Sequence, residues 1–211
     1  MKLFFSFLIL LLVSNSFGQD TKSQAILDKL SLKMKSYKTF YIEFSALIKN
    51  TTSGQNDNEI GKGWVKGDKY FANYNDNTII SNGVTTWSIV KEDKSVYEAD
   101  SDDSEESLNP KKLMTIWEND FKNKYTKEGK LNNELVHVIN LTPKQLDKSD
   151  YSSIVLYISK SKNELKKVIM KLKDNTTMTF SLTKLTVNLA IDDTKFIFDK
   201  KKYPGFSVIK D

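Results

Sequence analysis

Histidine and cysteine carry much of the side-chain catalysis and transition-metal binding in proteins, and this chain of 211 residues has one histidine and no cysteine. A thiol nucleophile, a disulfide framework and a Cys-ligated zinc or iron–sulfur centre are therefore excluded, and a single imidazole cannot build a multi-histidine metal site. His137 stands in Leu135-Val136-His137-Val138-Ile139. There a Ser-His-Asp site would need a strand residue with apolar flanks as its base, and a packed or rim histidine is the plainer reading. Gly61-Lys62-Gly63-Trp64-Val65-Lys66-Gly67 is glycine-rich but leads into a strand rather than a helix. It is no phosphate cradle, and its glycines are expected at turns or bulges. The acidic run from Asp100 to Glu106 could attract calcium, yet it lacks the glycine and the closing bidentate glutamate of a calcium loop and reads as a solvated loop. Asp and Glu number 27, and no spacing selects two of them as a glycosidase pair. The expectation is of no catalytic residue, no metal and no cofactor.

What does stand out is the aromatic supply: Trp64, Tyr70, Phe71, Tyr74, Trp87, Tyr97, Trp117 and Phe121 fall in one half of the chain. Large rings can simply be the core of a sheet covered by helices. They can equally line the concave face of a sheet that curls into an incomplete barrel, leaving an apolar cavity for a lipid-like guest. Either way they need elements to position them. Ile26, Leu27, Leu30 and Met34 recur at helical spacing and predict a helix over Ser23 to Ser36. From Thr39 the period becomes two, predicting strands at 40–50, 59–66, 69–74, 78–81, 85–90 and 95–99. Gly67-Asp68 and Asn82-Gly83 supply the turns between them. Pro110 suits the first position of a second helix, Lys111 to Phe121, with Leu113, Met114, Ile116, Trp117 and Phe121 on one side. Strands resume at 125–131, 134–141, 153–159, 164–173 and 176–188, turning at Asn132-Asn133 and Asp174-Asn175, with a last pair near Phe196 and Phe206.

The start of the chain is of another kind. Lys2 precedes the apolar run Leu3 to Val13, and Ser16 and Gly18 stand three and one before a cut that would leave Gln19 first. Residues 1–18 read as a cleavable signal peptide, and no stretch reaches the ~20 apolar residues a membrane span requires. With no cysteine to follow the signal, the exported product is expected to be unlipidated. The remainder, 19–211, carries no linker composition and reads as one domain. The whole chain's 32 Lys and Arg against 27 Asp and Glu come mostly singly or in pairs, with Lys200 to Lys202 the longest run, so no nucleic-acid surface is expected.

Several short motifs resemble the LolA family of periplasmic lipoprotein carriers: Leu27-Asp28-Lys29-Leu30, Tyr37-Lys38-Thr39-Phe40 with Phe44, Gly63-Trp64-Val65-Lys66, and Ile79-Ile80-Ser81-Asn82-Gly83 with Trp87. The likeness continues through Asn109-Pro110-Lys111-Lys112-Leu113, Leu141-Thr142-Pro143, Lys195-Phe196-Ile197-Phe198 and Gly205-Phe206-Ser207-Val208-Ile209. The resemblance implies a mainly β fold with helices, an unclosed antiparallel half-barrel of about eleven strands whose concave hydrophobic face is covered by helices. It implies a non-enzymatic, monomeric carrier that takes the acyl chains of lipoproteins from an inner-membrane lipoprotein-release ABC transporter complex to an outer-membrane acceptor. A carrier of another envelope lipid or glycolipid, and an envelope hydrolase, stay open as alternatives. Relatives place a latching arginine just after the Trp-Val-Lys strand; here Gly67 and Asp68 follow it, leaving Lys66 or Lys69 to substitute or to serve as solvated turn charges.

The cavity wall is nominated as Phe44, Ile48, Trp64, Phe71, Ile79 and Trp87 from strands, with Leu113, Ile116 and Trp117 from the second helix. Period two would select Tyr70, Ala72 and Tyr74 as the buried set of their strand; Phe71 is nominated from the resemblance. Helix 111–121 is expected to be a lid held mainly by apolar contact, with a permanently packed helix as the alternative.

Overall fold

The computed structural model describes residues 20–101, 114–118 and 120–210. The expected signal peptide and Leu113 lie outside them.

Helix α1, Thr21–Lys35, begins where Asp20 takes an extended backbone and its carboxylate accepts from the amides of Lys22 and Ser23 at 3.0 and 3.2 Å. Lys33 and Lys35 sit in the last turn, where the helix dipole favours cations. Ile26, Leu27, Leu30 and Met34 form its buried stripe.

Among the described residues twelve strands follow: β1 Thr39–Asn50, β2 Asn56–Lys66, β3 Lys69–Tyr74, β4 Asn77–Ser81, β5 Thr85–Val90, β6 Ser95–Asp100, β7 Phe121–Leu131, β8 Glu134–Pro143, β9 Tyr151–Ser159, β10 Leu165–Leu172, β11 Thr176–Val187 and β12 Ser207–Lys210. The tight turns are built where the sequence put residues that tolerate a left-handed backbone: Gly67, Gly83, Asn132, Asn133 and Asn175 all have positive φ. All twelve strands join one sheet in the order β12-β6-β5-β4-β3-β2-β1-β11-β10-β9-β8-β7, antiparallel except where β12 lies parallel to β6. The two ends do not pair, so the barrel stays open.

Two local expectations are corrected. Residues 114–118 form turns rather than helix, and Phe121 opens β7 opposite Pro143 instead of closing a helix. Asp120 between them has φ 60°, a left-handed conformation that no α-helix continues through. Phe196 belongs to a 3-10 turn, Asp193–Phe196, capped by the Asp192 carboxylate, not to a strand. The segment from Leu189 to Phe206 crosses the sheet as an irregular arm before β12 pairs with β6.

Candidate functional site

Directly opposed residues in antiparallel neighbours share a face of the sheet. One row runs Phe40, Val65, Tyr70, Ser81, and the next Ile42, Gly63, Ala72, Ile79. Phe44, Gly61 and Tyr74 make a third. This face carries the main core: Phe40, Ile42, Phe44, Tyr70 and Ile79 pack in one cluster with Leu27, Leu30 and Met34 of α1 and with Met114 and Trp117. The opposite face carries Tyr41, Trp64, Phe71, Ile80 and Trp87 in a single cross-strand row.

The nine nominated residues therefore do not share one wall. Phe44, Ile79, Ile116 and Trp117 lie in the α1-side cluster, and Ile48 is on the same face by register but only half-buried. Trp64, Phe71 and Trp87 lie on the other face, where Phe71 and Trp87 pack with Phe198, Tyr203 and Phe206 of the C-terminal arm. For β3 the period-two set is the one that faces α1, Tyr70 and Ala72 being buried. Both faces of this strand are covered by aromatic or apolar neighbours, so hydrophobicity alone could not orient it.

Gly61 also differs from expectation. It is neither turn nor bulge; the Phe44 ring lies over it so closely that an added Cβ would sit 2.1 Å from the ring's Cζ. The glycine makes the floor on which Phe44 rests.

The α1 side holds a cavity of about 330 Å³ at the end of the sheet where α1 terminates. Met34, Tyr37, Phe40, Val65, Met114 and the β2–β3 turn at Gly67 surround it, with Glu118 at the rim. Burial pushes the Tyr37 hydroxyl above its usual pKa, so it is a neutral dipole in this wall. None of the nominated residues that the structure describes lines the cavity. The signal that could have found it was Tyr37-Lys38-Thr39-Phe40, present in the sequence as a motif but not carried into the wall.

Among the described residues the cover has two parts with different attachments. At its N-terminus α1 is pinned to β7: the Tyr125 amide donates to the Asp20 carboxylate at 2.9 Å, the Asn123 amide donates to Gln24 at 2.7 Å, and Ser23 donates to Asn123. Farther along, the Lys33 ammonium pairs with Glu164 at 3.1 Å. Residues 114–118 lean on α1: the Trp117 indole donates to the Ser31 hydroxyl at 2.8 Å and Lys35 pairs with Glu118 at 3.1 Å. To the apolar contact of Met114, Ile116 and Trp117 closure therefore adds polar ties supplied by α1. Lys66 and Lys69 turn away to the other face, where both meet Asp193, at 3.2 and 3.0 Å.

His137 lies on β8, its ring edge-on to Tyr125 and its Nδ1 3.4 Å from the tyrosine hydroxyl. Burial, then the Lys160 ammonium, lower its pKa.

An open sheet whose α1-side face is covered by a helix and by residues 114–118 around a cavity is a LolA-like fold, which suggests a carrier that binds lipid or lipoprotein. The chain belongs to the LolA family: the family model described as outer membrane lipoprotein carrier protein LolA matches residues 35–199. No curated protein matches the chain. Among solved structures, it is similar to an uncharacterized conserved protein from Thermus thermophilus, at 7% identity over 90% of this chain and 99% of that one, TM-score 0.57. LprF from Mycobacterium bovis aligns at 11% identity over 82% and 97%, TM-score 0.53. A LolA superfamily protein from Nitrosomonas europaea aligns at 13% identity over 83% and 97%, TM-score 0.46. At these identities the likeness is one of fold. No helix among the described residues is long and apolar enough to cross a membrane.

Proposed function

We propose that this chain is a non-enzymatic periplasmic carrier of lipoproteins, exported by a signal peptide over residues 1–18 and working as the single domain 19–211. It would receive acyl chains from an inner-membrane ABC release complex and surrender them to an outer-membrane acceptor. The observation that carries the reading is the cavity beneath a segment whose ties to α1 include an indole hydrogen bond and an exposed ion pair. Each buried CH₂ is worth roughly 0.8 kcal/mol, so acyl chains cross an aqueous compartment only inside a greasy container. At about 330 Å³ the closed cavity is at the small end of ligand sites, roughly 300–1,000 Å³. Several acyl chains enter only if 114–118 moves off α1, and the apolar face of Phe44, Ile79 and Trp117 then extends the wall. Phe44, Ile48, Ile79, Ile116 and Trp117 accordingly remain proposed acyl contacts, joined by Tyr37, Phe40 and Val65. Trp64, Phe71 and Trp87 are not among them.

The test is mass spectrometry of the protein purified gently from an envelope extract, including its N-terminal peptide. Co-purifying triacylated lipoproteins and a mature chain starting at Gln19 are expected. Free phospholipid or glycolipid alone would reassign the cargo, and an unprocessed N-terminus retained in the membrane would remove the exported-carrier reading.

A further inference from the structure

The carrier reading uses one face of the sheet, yet the other face holds a second and larger cavity, about 590 Å³, between the Trp64–Phe71–Ile80 row and the C-terminal arm. Its roof is fastened on both sides. Upstream, Asp193 takes the ammonium groups of Lys66 and Lys69, and Lys66 also donates to the Ile191 carbonyl at 3.1 Å. Downstream, Phe198 stacks on Trp87 with centroids 5.8 Å apart, Tyr203 stacks on Phe198 at 5.6 Å, and β12 pairs with β6. A cavity under a roof held on both sides exists before any ligand arrives, which lowers the ordering cost of binding.

Its chemistry is specific. Lys195 reaches back from the arm so that its ammonium sits 3.8 Å from the Trp64 ring centroid and 4.6 Å from that of Phe71. Four charged side chains line the space: Lys195, Lys202, Asp192 and Asp199. The two carboxylates are engaged in capping their own turns, Asp192 accepting from the Thr194 amide at 2.8 Å and Asp199 from the Lys201 amide at 3.0 Å. Among the described residues neither lysine is ion-paired. Burial lowers the Lys195 pKa. A half-buried ammonium against two rings, unpaired beside an apolar wall, is stabilised further by an anion that brings its own apolar body.

We propose that the space beneath the C-terminal arm is a second binding site, distinct from the acyl cavity under α1, for a small amphipathic anion whose carboxylate or phosphate meets Lys195 and whose apolar portion lies along Phe71, Ile80 and Tyr203. The anion's source is a free fatty acid or the headgroup region of an anionic lipid. The plain alternative is that the Lys195 stem merely roofs Trp64.

The three tryptophans separate this site from the carrier cavity. The Trp64 indole borders the arm cavity, while Trp117 reports on the α1 side. Indole Nε1–H resonances of the ¹⁵N-labelled mature protein, assigned with single Trp→Phe variants, are followed during titration with octanoate, with octanol, and with dihexanoyl phosphatidylglycerol below its micellar concentration. Octanoate is expected to shift Trp64 saturably while octanol does not, and Lys195→Met, which keeps the apolar stem, should weaken that binding by about tenfold or more. A Trp64 shift with the phosphatidylglycerol but not octanoate, equally lost in Lys195→Met, would assign the site to a lipid headgroup. If octanol moves Trp64 as octanoate does, if Lys195→Met binds unchanged, or if only Trp117 responds, the second site does not exist. The last result would leave the carrier reading intact.

Discussion

The separable cover makes a quantitative prediction. In Ser31→Ala the Trp117 indole N–H, on a ring only 5% exposed, loses its 2.8 Å acceptor in the closed state but meets water when residues 114–118 lift away. Leaving such a donor unpaired costs ~1–3 kcal/mol; because Ser31 is half-buried and water can approach it, about 1–2 kcal/mol is the appropriate part of that range. Glu118→Gln removes the pair with Lys35, whose side chain is 66% exposed, and such a solvated pair is worth only ~0.2–0.5 kcal/mol. Together the changes favour the open form by about 1–2.5 kcal/mol, or roughly fivefold to sixtyfold in the opening equilibrium. Hydrogen exchange by mass spectrometry should show amides of 114–118 accelerating by that factor while core strand amides near Ile139 and Leu156 do not. The apparent affinity for a fluorescent fatty-acyl probe should rise as the competent population grows. If exchange accelerates equally in the β8 and β9 core, the variants have only lowered global stability, and 114–118 is a permanently packed piece of the core.

Gly61→Ala places a methyl into the Phe44 ring, 2.1 Å from Cζ. Overpacking of about 1–3 kcal/mol, partly offset by the ~0.5–1 kcal/mol gained when a strand glycine is replaced, predicts a net loss of roughly 0.5–2 kcal/mol by urea denaturation. The added Phe44→Leu change should be less costly in that background than in the wild type; additive losses would contradict the contact. The Asp20 carboxylate is held below its ordinary pKa of 3.8 by the backbone amide of Tyr125 first and that of Ser23 next. A lowered folded-state pKa gives stability that is present above the unfolded value and lost as pH falls through the folded one. The urea midpoint of the wild type should therefore drop more between pH 7 and pH 3 than that of Asp20→Asn, and equal drops would show that this cap does not couple α1 to β7.

Much of the fold was written in local chemistry. The alternation of side chains and the turn residues Gly67, Gly83, Asn132, Asn133 and Asn175 place β3 and β5 with the boundaries that periodicity predicts, because a two-residue repeat and a left-handed turn are properties of a few neighbouring residues. The Ile26, Leu27, Leu30, Met34 stripe likewise announces a helix needing an apolar partner. What period two cannot say is which alternate set faces which cover. Where one face is wet, polarity answers; here Tyr70 lies under the α1-side core and Phe71 under the C-terminal arm, so both sets are hydrophobic and the choice was made by long-range pairing. The same holds for the contacts that give the site its character. Trp117 finds Ser31 across 86 positions of chain, Phe44 finds the bare backbone of Gly61, and Lys195 finds Trp64. Those partners are joined only when the strands between them are laid side by side, and no local pattern encodes their meeting.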